Sequence, residues 1–227
     1  MRHQFFSLIA CLFLLTQGIA QEEKVKEPFK DPLPRFSIRG SCAIPKIVGS
    51  QAFRVSFLGV YDASLTFNFR LGKQVTIGIG YQNAVFNQTA FFKYKGLDTR
   101  LQCNNGLIRF GLDKAVGPKS FVSLSFTSGF GVNQYTAVKA TYDSLNGKYP
   151  TFFTATFLRP EISYNYLPDA NFAWGVLLAY NMVLASYDPN LNCFATYEDF
   201  SKYRNKANMG WISFGINFYF APKKKTQ

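Results

Sequence analysis

The sequence predicts an all-β fold: an eight-stranded antiparallel up-and-down transmembrane β-barrel. Three observations predict it. The amino terminus reads as an export signal, bulky apolar residues alternate with small or polar ones in run after run, and the connections between runs alternate strictly between short and long. No stretch of the chain approaches about 18 consecutive apolar residues, so a membrane crossing would have to be made by strands closed into a barrel.

At the amino end, Arg2 and His3 precede an apolar run from Phe5 to Leu15, followed by the small residues Gly18 and Ala20. This is the pattern of a secretory signal peptide over residues 1–20, and its apolar part falls well short of the roughly 20 residues a spanning helix needs. Residues 21–34 (QEEKVKEPFKDPLP) carry charges and prolines with almost no aliphatic side chains, as a flexible periplasmic leader does. The barrel is expected over residues 35–220, and residues 221–227 form a basic periplasmic tail.

The clearest strand runs from Val60 to Leu71, with Tyr61, Ala63, Leu65, Phe67, Phe69 and Leu71 on one face and Asp62, Ser64, Thr66, Asn68 and Arg70 on the other. After Gly72-Lys73-Gln74 the alternation resumes from Val75 to Gln82, which makes a hairpin. Equally regular runs occupy Phe121 to Val132, Phe172 to Met182 and Ile212 to Phe220. Three less regular strands, Phe36 to Ile44, Leu101 to Leu112 and Phe152 to Leu167, complete the eight. In the fourth strand Leu101 and Cys103 lead in one phase while Ile108, Phe110 and Leu112 hold the other, which predicts a bulge near Asn104-Asn105. A similar phase change at Phe157-Leu158, beside the mid-strand Pro160, predicts a second bulge in the sixth. Phe, Tyr, Trp and Leu face outward and Gly, Ser, Thr and Ala inward, which suits a narrow barrel in lipid whose interior is filled by side chains.

Asp62, Arg70, Arg109, Arg159 and Glu161 all fall on inward faces, where charges must pair or meet water. They are expected to form a charge network that plugs the lumen; a narrow ion path is the alternative. The only histidine, His3, lies in the signal, so the mature chain lacks the imidazole on which Ser-His or Asp-His chemistry depends, and no catalytic residue is assigned. Cys42, Cys103 and Cys193 remain after processing, without the close spacing of a metal site, so no metal is expected. Strand one closes against strand eight, which would bring Cys42, at the outer end of strand one, beside the long loop that holds Cys193, and this pair is the expected disulfide. No nucleotide fingerprint, phosphate loop or nucleic-acid motif occurs, and no cofactor is expected. The formal charge of +12 falls to 24 − 13 = +11 once Arg2 leaves with the signal, still basic enough to favour anionic surfaces such as lipopolysaccharide phosphates, and the segments Phe91 to Lys95 and Tyr197 to Lys206 set lysines and arginine beside rings that would meet outer-membrane lipid, lipopolysaccharide or an unspecified protein partner.

The carboxyl end, Ser213-Phe214-Gly215-Ile216-Asn217-Phe218-Tyr219-Phe220, resembles the assembly signal of outer-membrane barrels. From Phe36 to Phe220 the chain resembles the small outer-membrane β-barrel domain family of the OmpX, OmpW and PorT-like type. The resemblance implies an outer-membrane location with both termini in the periplasm, and a final strand read by the barrel-insertion machinery at Gly215, Phe218 and Phe220. It also implies a structural or surface-interaction role, with an accessory role in a secretion or gliding apparatus as the alternative.

Overall fold

The computed structural model describes residues 34–72, 74–89, 99–137, 151–169, 171–187 and 208–221. Eight strands close into a single antiparallel barrel in which each strand pairs with its neighbours in sequence and the last with the first. They are β1 (Phe36–Ile47), β2 (Phe57–Leu71), β3 (Val75–Gln88), β4 (Thr99–Gly117), β5 (Ser120–Ala137), β6 (Thr151–Asp169), β7 (Phe172–Ser186) and β8 (Asn208–Phe220), with one short helix, α1 (Gln51–Ser56), between β1 and β2. Closure runs from Ile38 opposite Phe220 to Ile47 opposite Trp211. The connections β2–β3, β4–β5 and β6–β7 are tight and share one end with the start of β1 and the finish of β8. Gly72, at φ +73°, supplies the left-handed residue that the first of these turns requires. Residues 1–33, the aromatic-basic segments around Lys93 and Lys202, and the tail beyond Ala221 lie outside the described residues.

Leu65, Ile79, Ile108, Phe126, Ile162, Leu178 and Ile216 stand exposed at similar heights from β2 round to β8, so the exterior carries a continuous apolar girdle. Near the termini its edge is aromatic, with Tyr166 against Trp174 and Phe172 against Phe220. Soluble monomers seldom show a contiguous apolar patch beyond a few hundred Å². Toward their tight-turn end the strands hold polar and charged residues inside, with a small apolar cluster of Phe121, Leu167, Ala173 and Tyr219 near the mouth.

The other half of the barrel reverses this pattern. β4 and β6 are each 19 residues long, well beyond the roughly 9–11 that a tilted strand needs to cross a bilayer. In that surplus length the inward face turns apolar: Phe86, Leu101, Cys103, Phe157, Met209 and Trp211 are fully buried and pack with Phe53 of α1, Phe57 and Tyr187 into one cluster. The outward face of β2 to β4 turns polar at the same level. There Tyr61 donates to Asn83 at 2.6 Å, Asn83 donates to Asn104 at 2.7 Å, and Tyr81 also donates to Asn104.

This reversal corrects both expected bulges. Through Asn104 and Asn105, β4 keeps an unbroken register with β3 and with β5, and Leu101, Cys103, Leu107 and Arg109 all face inward. The phase change belongs to the surroundings and not to the backbone: from Ile108 to Leu112 the apolar side looks out to the girdle, and from Leu101 to Leu107 it looks in to the plug. β6 behaves likewise, because Phe157, Arg159 and Glu161 share the inner face and the register with β5 runs straight through Pro160. Toward β7 the pairing omits Arg159 and Pro160 and resumes in the same register, so the missing proline donor is accommodated without an extra residue. The register shifts that do occur lie near strand ends, at Gly59/Tyr61, Ala115/Gly117, Tyr166/Asp169 and Val183/Ser186.

Trp211 anchors the plug, with its ring 5.0 Å from Phe86 and 6.2 Å from Phe157. Trp211→Ala should destabilise the barrel by about 3–5 kcal/mol, the cost of a large buried cavity. Unfolding titrations in detergent micelles would measure it, and a loss under 1 kcal/mol would show that the plug is not a packed core.

Candidate functional site

Between the plug and the terminal mouth lies a layer of charged side chains. Asp62 is fully buried and accepts four hydrogen bonds: Oδ1 from Gln82 Nε2 at 2.7 Å and Arg159 Nη1 at 3.3 Å, Oδ2 from Trp211 Nε1 at 3.3 Å and from Ser213 Oγ. Arg159 also reaches Glu161 Oε2 through Nη2 at 3.1 Å, and Glu161 Oε1 receives Arg39. The result is a buried chain, Asp62–Arg159–Glu161–Arg39, that crosses the lumen between β1, β2 and β6. A second polar string, Asn105 to Gln82 at 3.0 Å and Asn181 to Ser213 at 2.9 Å, ties it to β3, β4, β7 and β8. Interior charges are tolerable on these terms, because each carboxylate meets more than one donor.

Of the residues expected in this network, Asp62, Arg159 and Glu161 are directly joined. Arg109 is fully buried nearby, but it donates to neutral side chains: Asn68 at 3.2 Å and Ser123 at 2.9 Å. Arg70 lies lower, lining the mouth with Arg35, Thr76 and Asp113. Sequence reasoning missed Arg39 and Asp113. Arg39 shares its phase with Ser37 and Ser41, the inward side of β1, and that alternation could have found it. Asp113 accepts from Thr76 Oγ1 at 2.5 Å and lies just past Leu112, where the fourth strand was expected to end, because β4 runs on to Gly117.

The carboxyl-terminal strand is built for close pairing. A Cβ on Gly215 would come within 2.2 Å of the Cys42 carbonyl oxygen and 2.4 Å of the Ala43 Cα, so a bare glycine lets β1 and β8 close at this level. Phe218 and Phe220 flank the Phe172 ring on β7 at 6.3 and 5.3 Å.

Cys42 is a free, exposed thiol in mid-strand, opposite Ile216, and not at the outer end of β1 as expected. β1 continues for five residues to Ile47, about 17 Å of further strand. Its expected partner, Cys193, lies outside the described residues. Cys103 is free and buried in the plug.

No family model matches the sequence, and comparison with curated proteins gives no match. Among solved structures the chain is similar to Ail, the attachment invasion locus protein of Yersinia pestis, at 9% identity and a TM-score of 0.46, covering 83% of this chain and 99% of that one. It is similar to Neisserial surface protein A at 14% identity and a TM-score of 0.46, covering 80% and 95%. The outer membrane protein OprG from Pseudomonas aeruginosa matches at 11% identity and a TM-score of 0.45, covering 84% and 97%.

Proposed function

We propose that the chain is a bacterial outer-membrane barrel with a closed lumen, serving as a structural or surface-interaction module whose long-loop end faces outward and whose termini face the periplasm. The observation that carries this reading is the exterior apolar girdle around a lumen crossed by the Asp62–Arg159–Glu161–Arg39 chain. Such a girdle gains by burial in lipid, while a soluble barrel of this size would direct those side chains inward. The aromatic plug supports the closed lumen, since Phe53, Phe86 and Trp211 fill the space that a pore would need. Gly215, Phe218 and Phe220 then serve as the strand presented to the barrel-insertion machinery, and lipid and lipopolysaccharide are the immediate partners.

Two measurements test the proposal. The mature protein in detergent should migrate faster unboiled than boiled, and it should give no stepwise conductance in planar bilayers. Identical migration would remove the membrane-barrel reading, and steady conductance steps would remove the closed lumen while leaving the barrel.

A further inference from the structure

Above the girdle, toward the long-loop end, the barrel exterior changes character on one side only. Four residues up from Leu65, Ile79 and Ile108 stand Tyr61, Asn83 and Asn104, whereas the same step from Phe126, Ile162, Leu178 and Ile216 reaches Phe130, Leu158, Met182 and Ile212. On β1 the neighbour of Tyr61 is Ile44, one step beyond the Ala43–Asp62 pair. Three adjacent strands are therefore polar at a level where the other five are apolar. Ile44 and Phe130, which flank the polar stretch, are 73% and 76% exposed. Hydrocarbon that covers those five strands would also meet the other three, and polar groups at a lipid-facing level call for a polar neighbour.

The ladder on β2–β4 does not close on itself. Asn104 Oδ1 accepts from Tyr81, Asn83 and Gln102, while Asn104 Nδ2 and Gln102 Oε1 take part in no hydrogen bond among the described residues. One donor and one acceptor are thus left for whatever stands outside. Four residues on from Asn104 along the same outward face, about 13 Å of strand, Arg100 is exposed and has no ion pair among the described residues. The exterior of this half exposes Lys46, Arg54 and Arg100 and no carboxylate among the described residues, because Asp62 and Glu161 are buried in the lumen and Asp113 and Asp169 lie at the terminal end.

We propose that the outward face of β2–β4 seats one phosphorylated glycolipid of the lipopolysaccharide type. Its acyl amide and hydroxyl groups meet Asn104 and Gln102, a phosphate meets Arg100, and its acyl chains lie against Ile44 and Phe130. The inference rests on the reading that the long-loop end faces outward, and it deepens that reading by giving the glycolipid a place on the barrel wall itself. The chemistry separates this lipid from a diacyl phospholipid. Ester carbonyls and a phosphate satisfy Asn104 Nδ2 and Arg100 but bring no N–H or O–H to Gln102 Oε1, whereas an amide-linked, hydroxylated acyl chain brings both a donor and an acceptor. The guanidinium fork of Arg100 matches a phosphate in two parallel hydrogen bonds.

The test uses the full-length mature barrel in detergent micelles, titrated with purified deep-rough lipopolysaccharide and separately with phosphatidylglycerol, with bound lipid counted by native mass spectrometry. The parent should take one lipopolysaccharide in preference to phosphatidylglycerol. Arg100→Gln should weaken lipopolysaccharide binding about tenfold and Asn104→Leu about fivefold, with phosphatidylglycerol binding unchanged in both. Lys114→Gln, exposed on the outward face of β4 at the terminal end, should change neither. Lipopolysaccharide stripped of its lipid A phosphates should bind the parent as weakly as the intact lipid binds Arg100→Gln. Equal lipopolysaccharide affinity of the parent and Arg100→Gln, or an equal loss for both lipids, would overturn the proposal while leaving the membrane barrel intact. A parent whose mobility is unchanged by boiling would instead remove the membrane-barrel reading, and the proposal with it.

Discussion

Asp62→Leu is expected to lower the unfolding free energy by about 3–5 kcal/mol, since removing one partner of a buried charge network strands the others. Asp62 accepts from Arg159, Gln82, Trp211 and Ser213, so its loss removes an acceptor from four donors at once. Arg159 would then share Glu161 with Arg39, placing two guanidinium groups on one carboxylate. Asp62→Asn keeps acceptor capacity but loses the charge, and should cost about 1–3 kcal/mol. Urea titrations in lipid vesicles, followed through the heat-modifiable band, would give both values. Equal stability of Asp62→Leu and the parent would mean that the lumen network is hydrated and carries little energy.

Phe220→Asp should abolish accumulation of the folded form in the outer membrane while synthesis and export continue. Phe220 is exposed on the girdle's terminal edge, against Phe172. A charge near a membrane boundary costs only about 0–1 kcal/mol, against roughly 2–4 kcal/mol for a basic residue at the midplane, so lipid energetics alone would leave most of the protein folded. Loss of assembly beyond that margin would identify the residue as part of the assembly signal. Comparing folded yield in cells with folding into vesicles in vitro separates the two effects. Normal yield in cells would end the terminal-strand reading.

β2, β3, β5, β7 and β8 were legible because their girdle segments keep one hydrophobic phase: Phe67 against Asn68, or Ile216 against Asn217, states the face directly. β4 and β6 were misread for a physical reason. Alternation records which side is apolar, and when a strand leaves lipid for water the apolar side changes from outside to inside while the backbone runs straight on. Leu101 and Phe110 are both correctly placed hydrophobes, one in the plug and one in the girdle. Helix α1 gave no periodic signal, since six residues hold fewer than two turns. The charged layer was partly visible: Asp62, Arg159 and Glu161 could be set inward from phase alone. The pairing of Arg159 with both carboxylates depends on which strands face each other across the lumen, and that is a property of closure.

The exterior ladder of Tyr61, Asn83, Asn104 and Gln102 sets a hydrogen-bonded polar band above the girdle on the β2–β4 side. These groups bond one another, with Gln102 donating to Asn104 at 3.4 Å, so submerging them forfeits fewer hydrogen bonds to water than submerging separate amides would. In a bilayer, a thicker membrane riding up over this edge would forfeit less than it would over separate amides, while a thinner one would bare girdle side chains below it. The ladder would then ease the fit to a thicker membrane more than to a thinner one.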